Sequence, residues 1–259
     1  MIALALFCGL IGLLIGSFLN VVIWRVPRGE SVVSPPSACP SCGHEIRPRD
    51  NVPVLSWLLL RGKCRDCAHP ISPRYPLVEL ACGVLFALMA LRFGAHAVLP
   101  AYLYLAAVGL ALAMIDIDTK RLPDVLTLPS WVVAAVTLGG AALVDHQGDA
   151  ALRALIGAGA LGAFYFLLVL VYPAGMGLGD VKLAPVLGAY LGWISYGVLA
   201  VGAFLGFLYG GVIGILAMSL GKAGRKSKIP FGPFMLAGVL TAVLFGRHLV
   251  DAYTSATLG

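Results

Sequence analysis

The first apolar stretch, IALALFCGLIGLLIGSFLNVVIW at positions 2–24, contains no lysine, arginine, aspartate or glutamate. It is long enough to cross the hydrocarbon core of a bilayer as one helix, which takes about 20 residues. A secretory signal peptide would instead carry a basic region before a shorter apolar core of about 7–15 residues. The stretch is therefore predicted to be an uncleaved first transmembrane helix.

The rest of the chain repeats this apolar character. Of its 259 residues 60% are hydrophobic and 12% are charged, whereas a soluble domain has about 25% charged residues. No alternating pattern of a membrane β-barrel is present, and helices satisfy their own backbone hydrogen bonds in lipid. We expect an all-α polytopic membrane protein with about eight transmembrane helices, the further segments being 77–93, 98–115, 125–144, 151–171, 181–195, 197–219 and 231–249.

The basic residues predict how these helices are oriented. Of 18 lysines and arginines, all but Arg92, Arg153 and Arg247 fall in one alternate set of loops and helix ends. Such residues mark the cytoplasmic side, so both termini are expected outside. Segment 181–195 is short for a span, but the basic run GKAGRKSK at 221–228 stays inside only if that segment crosses. This placement explains the net charge of +6 without a nucleic-acid partner.

Two carboxylates interrupt this apolar chain. Asp116 begins the sequence DIDTKRLPD at the end of one predicted helix, and Asp180 lies in GLGDVK before another. The predicted topology places both at the cytoplasmic edge of the bilayer. Two such acids can share a proton and activate water, one as base and one as acid. The structural alternative is that Asp180 only caps the following helix.

Glycines surround the second carboxylate. Gly175, Gly177 and Gly179 precede Asp180, and glycine permits positive φ angles and the close approach of another backbone. We expect Gly177 and Gly179 to shape the site for an extended peptide.

Other polar residues near the acids have open roles. On a continuing helix Asp118 would point away from Asp116, and Asp124 could cap the next helix. Both are interpreted as structural or substrate-orienting. Lys182 could pair electrostatically with the site or extend towards the membrane surface.

The main polar stretch, 26–75, contains Cys39, Cys42, Cys64 and Cys67 in the spacing C-x2-C-x21-C-x2-C. Two CxxC turns can hold one zinc ion in a tetrahedron with no open position, so a structural zinc is expected in a zinc-ribbon-like cytoplasmic loop. The alternatives are redox-active or unmetallated thiols and disulfides, and a cytoplasmic location disfavours the disulfides. The loop's basic residues suit anionic lipid. The predicted domains are the first helix (1–25), this loop domain (26–75) and a transmembrane domain (76–259).

With both sites identified, the chain resembles the bacterial type IV prepilin peptidases, which are leader peptidases and N-methyltransferases. GLGDVK carries the GxGD signature of membrane aspartyl proteases, and the resemblance implies that Asp116 and Asp180 are the catalytic pair. The other matching motifs are GSFLNVVIWRVP (16–27), CPSCGHEI (39–46), DNVPVLSW (50–57), GKCRDC (62–67), PISPRYPLVE (70–79) and DIDTKRLPD (116–124).

This resemblance implies an inner-membrane enzyme of bacterial type IV pilus or type II secretion systems. It would cleave the short basic leader of prepilins and pseudopilins after a glycine, on the cytoplasmic side. It would then methylate the new N-terminal amine with S-adenosylmethionine, for which no glycine-rich binding motif is present. Gly62 matches a loop glycine tied to methylation. Asn20, Arg74 and Glu79 could bind substrate or methyl donor, or could only join helices by hydrogen bonds.

Two other functions are compatible with these residues. A proton-coupled transporter could use Asp116 and Asp180 as relays, and a zinc-bearing assembly protein could use them only as helix caps. Transport sites usually lie near the bilayer midplane between repeated halves. Here the acids are predicted at one edge and the sequence shows no repeat, which favours the peptidase.

Overall fold

The computed structural model of the protein describes residues 1–173, 176–221 and 229–258. Over these residues the chain is helical and contains no β-strand, which confirms the predicted all-α class. The described α-helices are α1 (Ile2–Arg25), α2 (Leu55–Leu59), α3 (Arg74–Phe93), α4 (Leu99–Thr119), α5 (Asp124–Val144), α6 (Gly148–Val171), α7 (Leu178–Ile194), α8 (Tyr196–Ser219) and α9 (Gly232–Leu258).

All eight predicted apolar segments form helices. In the described part of the chain, seven of them are long and apolar enough to cross a membrane. The eighth, α7, has 17 residues and a length of about 25 Å at 1.5 Å per residue. It is thus somewhat shorter than a hydrocarbon core of about 30 Å.

The helix ends differ from the apolar segments that predicted them. Helix α4 continues to Thr119 rather than ending near 115, and α7 begins at Leu178 rather than 181. Backbone hydrogen bonding continues past a charged side chain, so hydropathy alone places these ends too early or too late. As a result, Asp116 and Asp180 both lie inside helices. Gly175 and the basic residues Lys222, Arg225, Lys226 and Lys228 lie outside the described residues.

One compact unit consists of Met1–Ala95 and Leu103–Ala111. In it α1 packs along α3, and a Cβ added to Gly16 would lie 2.6 Å from the Cα of Glu79. The connection between these helices contains α2 and two short turns, each closed by one isolated β-bridge (Ala38 with Glu45, Lys63 with Pro70). The cysteine loop thus lies between the first and second apolar helices, as the sequence predicts.

The other compact unit consists of His96–Tyr102 and Leu112–Gly259. Helix α7 is its core, since it contacts α5, α6, α8 and α9 and most of its residues are buried. Helices α6 and α7 approach closely where Gly157 faces Gly188, because a Cβ on either would clash with the other's carbonyl. The buried Tyr102 hydroxyl donates a hydrogen bond to the Tyr190 carbonyl at 2.7 Å.

Candidate active site and metal centre

Asp116 lies in the last turn of α4 and is 4% exposed. Its Oδ2 atom accepts a buried hydrogen bond of 3.0 Å from the N–H of Gly232, the first residue of α9. Asp118, two residues later on the same helix, is exposed. The helix therefore turns Asp118 away from Asp116, as its spacing predicts.

Asp180 is the third residue of α7 and is 6% exposed. Its Oδ2 atom accepts a hydrogen bond of 3.2 Å from the N–H of Gly177, the residue that caps the helix. The capping role considered for Asp180 is thus present. A capping side chain is usually solvated, whereas this carboxylate is buried within a bundle of apolar helices.

The two described glycines before Asp180 differ in what they contribute to the site. Gly177 has φ −78° and ψ 147°, an extended conformation open to any residue, and Gly179 is helical. Neither position therefore uses the positive φ angle that glycine permits. Gly179 does permit a close approach, because a Cβ there would lie 2.9 Å from the Cβ of Leu122.

The structure brings the two acids together around Leu122. This buried side chain contacts Gly179, next to Asp180, and also the site where a Cβ on Gly232 would lie, next to Asp116. Two buried acids from helices far apart in the sequence thus lie next to the same side chain.

Asp124 and Lys182 form an ion pair beside this site. The Lys182 Nζ atom donates to both carboxylate oxygens of Asp124, at 2.8 and 2.7 Å. The indole N–H of Trp131 also donates to the Lys182 carbonyl at 2.9 Å. Lys182 therefore does not simply extend to the membrane surface, which was the alternative. Instead, Lys182 joins the beginning of α7 to α5.

Sequence reasoning missed two residues of this site. Gly232 contacts Asp116 across 116 positions, and its one sequence signal is its location between Phe231 and Pro233 at a predicted helix start. Tyr165 on α6 is 2% exposed. Its ring packs with Phe231, at a centroid distance of 6.2 Å. A tyrosine in an apolar helix has no local pattern that would distinguish it.

The four cysteines of the loop converge as predicted. Their sulfur atoms all lie within 4.8 Å of one another, with 3.8 Å between Cys39 and Cys67 and 4.0 Å between Cys42 and Cys64. A tetrahedron with Zn–S bonds of about 2.3 Å has sulfur atoms about 3.8 Å apart. The cluster therefore has the size and the ligands of a metal site.

The two CxxC turns have matching backbones. The N–H of Cys39 donates to the His44 carbonyl at 2.9 Å, and that of Cys64 donates to the His69 carbonyl at 2.8 Å. The backbone N–H groups of Cys42 and Ser41 lower the pKa of Cys39 to about 6, whereas the pKa of Cys42 is raised because burial and the neighbouring thiols outweigh its backbone hydrogen bond from His44. A thiolate at neutral pH is the form that binds a metal ion.

Salt bridges brace this loop. The Arg65 guanidinium hydrogen-bonds both carboxylate oxygens of Asp50 and holds the pKa of that carboxyl below its usual range. Arg47 pairs with Asp66 at 2.8 Å. These two arginines, which the sequence suggested for anionic lipid, are thus engaged with acids of the loop itself.

The residues linked by resemblance to methylation lie in the unit that contains the cysteines. Glu79 is 8% exposed, and its Oε2 atom accepts the N–H of Val54 at 2.7 Å. Gly62 is buried against Trp57, and Arg74 is the first residue of α3. The Asn20 side chain donates to the Tyr75 carbonyl at 3.1 Å. Glu79 and Asn20 therefore join elements of this unit by hydrogen bonds.

Fold and sites together define a multi-pass helical membrane protein with a buried aspartate pair and a four-cysteine cluster. Residues 10–93 match the Bacterial Peptidase A24 N-terminal domain, and residues 103–219 match the Type IV leader peptidase family. The chain belongs to the type IV leader peptidase family. The first matched range lies within the unit that contains the cysteines, and residues 112–219 of the second range lie within the other unit.

Relatives named prepilin leader peptidase/N-methyltransferase are similar over nearly the whole chain. The protein from Stutzerimonas stutzeri is 39% identical over 95% of this chain and 92% of its own length. The protein from Pseudomonas aeruginosa is 38% identical over 94% of this chain and 91% of its own length. The protein from Aeromonas hydrophila is also 38% identical, over 94% of this chain and 91% of its own length. No solved structure matches the chain.

Proposed function

We propose that this chain is a prepilin leader peptidase and N-methyltransferase. Its substrates are type IV prepilins and pseudopilins, whose short basic leader it removes after a glycine. The observation that carries this proposal is the buried pair of Asp116 and Asp180 in a member of the type IV leader peptidase family. The relatives named prepilin leader peptidase/N-methyltransferase favour this function over transport or assembly.

In the peptidase step the two carboxylates share one proton. The ionised acid takes a proton from a water molecule, whose oxygen attacks the carbonyl carbon of the last leader residue, the glycine. The protonated acid donates its proton to the nitrogen of the leaving amine as the peptide bond breaks. One proton is taken up and one is released, so the pair returns to its starting charge.

The cut takes place on the cytoplasmic side of the inner membrane. This orientation rests on the distribution of lysines and arginines, since the residues beside the two acids, Lys120, Arg121 and Lys182, belong to the basic set of loops. A basic prepilin leader that remains in the cytoplasm would reach the acids without crossing the bilayer.

The methylation step follows at the amine that cleavage exposes. S-adenosylmethionine would supply the methyl group: its methyl–sulfur bond breaks, S-adenosylhomocysteine leaves with the electron pair, and the amine loses one proton as the new carbon–nitrogen bond forms. We assign this step to the unit that contains the cysteine loop, with Gly62, Arg74 and Glu79 shaping it. Zinc held by Cys39, Cys42, Cys64 and Cys67 stabilises that loop and takes no part in the reaction, because four thiolates leave no open position.

The test uses the purified chain in detergent with a prepilin and labelled methyl donor. Wild type should remove the leader and incorporate label, whereas Asp116→Asn and Asp180→Asn should do neither, because methylation needs the new amine. The matched control is Asp251→Asn, at an exposed position of α9, and it should behave as wild type. Cleavage that persists in Asp180→Asn would exclude the proposed peptidase pair.

A further inference from the structure

The beginning of α9 contacts one of the two proposed catalytic acids directly. The Gly232 N–H donates to the Oδ2 atom of Asp116 at 3.0 Å, and the bond is buried. The first N–H groups of a helix have no partner within that helix. Here Asp116 supplies the missing acceptor from α4.

This contact depends on the absence of a side chain at position 232. A Cβ atom there would lie 2.8 Å from the Asp116 Oδ2 atom and 3.3 Å from the Leu122 Cδ2 atom. Ordinary contacts between such atoms are about 3.5–4.0 Å. A larger residue would therefore push the carboxylate away from the N–H that holds it.

Helix α9 also affects the charge of the site. The N-terminus of a helix carries a partial positive charge and favours a nearby anion, whereas the C-terminus disfavours it. Asp116 lies at the C-terminal end of its own helix, and α9 is 27 residues long. The N-terminus of α9 thus offsets the unfavourable end of α4.

We propose that Gly232 is a positioning residue of the peptidase site. Its N–H fixes the Oδ2 atom of Asp116 and so orients the carboxylate towards the reacting water, and glycine is required because only hydrogen fits beside that oxygen. This inference rests on the proposed peptidase function. It assigns to the start of α9 a part in cleavage that the GxGD signature does not include.

The test compares Gly232→Ala with Gly211→Ala, which adds the same methyl group to α8 where no atom lies within 4 Å. Displacing a reacting group by about 1 Å costs on the order of 100-fold in rate. We expect Gly232→Ala to lower the kcat of prepilin cleavage by about that factor, with KM little changed. Both variants should methylate a pre-cleaved pilin peptide as wild type does.

A second variant separates positioning from folding. In the double variant Leu122→Ala/Gly232→Ala, the methyl group added at position 232 no longer meets Leu122 but still meets the Asp116 carboxylate. The kcat of the double variant should therefore be lower than that of Leu122→Ala alone. If Gly232→Ala does not fold, this pair of variants decides the question. Cleavage at the wild-type kcat in Gly232→Ala, or its restoration in the double variant, would overturn the inference. If the wild-type enzyme leaves prepilin uncut, the proposed function itself fails.

Discussion

Val54 occupies a backbone conformation that β-branched residues rarely adopt. Its φ and ψ angles are 62° and −50°, and the Leu55 N–H donates to the Pro53 carbonyl at 2.6 Å, which closes a three-residue turn. Turns of this kind are strained. The buried Glu79 carboxylate, which accepts the Val54 N–H, compensates for the strain by holding the turn in place.

Relief of this strain gives the first prediction. A positive φ costs a folded residue with a Cβ about 1–2 kcal/mol, and glycine removes that cost. Glycine also makes the unfolded chain more flexible, which offsets part of the gain. Val54→Gly should therefore stabilise the protein by about 1 kcal/mol. Thermal unfolding in detergent measures the change. The matched control is Val52→Gly at an exposed position without a positive φ, which should destabilise. The same sign for both variants would contradict this account.

Gly62 gives a second prediction at the same scale. Its φ is +67°, and a Cβ would lie 2.8 Å from the Trp57 Cζ2 atom. The Trp57 indole N–H is held by the Ile71 carbonyl at 3.0 Å, so the ring cannot move without losing a hydrogen bond. Gly62→Ala should therefore disturb the loop and reduce methylation of a pre-cleaved peptide at least tenfold, an effect of about 1.4 kcal/mol.

Gly29 provides the control for this change. It has a similar φ of +69° but no atom within 4 Å of an added Cβ, so Gly29→Ala introduces only backbone strain. Methylation by Gly29→Ala should stay within about twofold of wild type, since backbone strain of about 1 kcal/mol leaves a stable loop folded. Equal losses in the two variants would show that contact with Trp57 is not the cause.

At the scale of elements, the start of α7 is held against α5 by Lys182. The side chain pairs with Asp124 and the carbonyl accepts the Trp131 N–H. Because Asp180 lies two residues before Lys182, these contacts fix the position of the second acid. Holding Asp180 in place is thus a role for the Asp124–Lys182 ion pair at the edge of this apolar bundle.

A charge exchange tests this attachment. The pair is 42% and 54% exposed, and such pairs contribute about 0.2–1 kcal/mol. Lys182→Gln should therefore lower kcat/KM for cleavage by about two- to fivefold, and Asp124→Lys/Lys182→Asp should recover most of it. Arg47→Gln, which removes an exposed pair with Asp66 in the other unit, should leave cleavage unchanged. A double variant no better than the single one would argue against the pairing.

Much of this architecture is accessible from sequence because hydropathy reports where apolar helices run. The pattern does not fix where they end. Asp116 and Asp118 look like a boundary, yet α4 continues through them until Lys120 adopts a left-handed conformation with φ 55°. Contacts between distant positions, such as Gly232 with Asp116, leave no periodic signal. The cysteine cluster was predictable because metal ligands have a spacing of their own.

At the scale of the whole molecule, the chain has two compact units, each with one site. The four cysteines belong to the unit formed by Met1–Ala95 and Leu103–Ala111, and the acid pair belongs to the other unit. The residues of each site take their hydrogen bonds from their own unit. The two proposed activities should therefore be separable by changes that affect one site alone.

Metal removal tests this separation. Treatment with a strong chelator, or Cys64→Ser, should release bound zinc and abolish methylation of a pre-cleaved peptide, because a small loop with little core depends on its metal to fold. Leader cleavage should continue under the same conditions. Cys8→Ala, which removes a buried cysteine of α1 outside the cluster, should keep both metal and methylation. Asp180→Asn should show the reverse pattern, with full metal content and no cleavage. Loss of cleavage in step with the metal would mean that the two sites depend on each other.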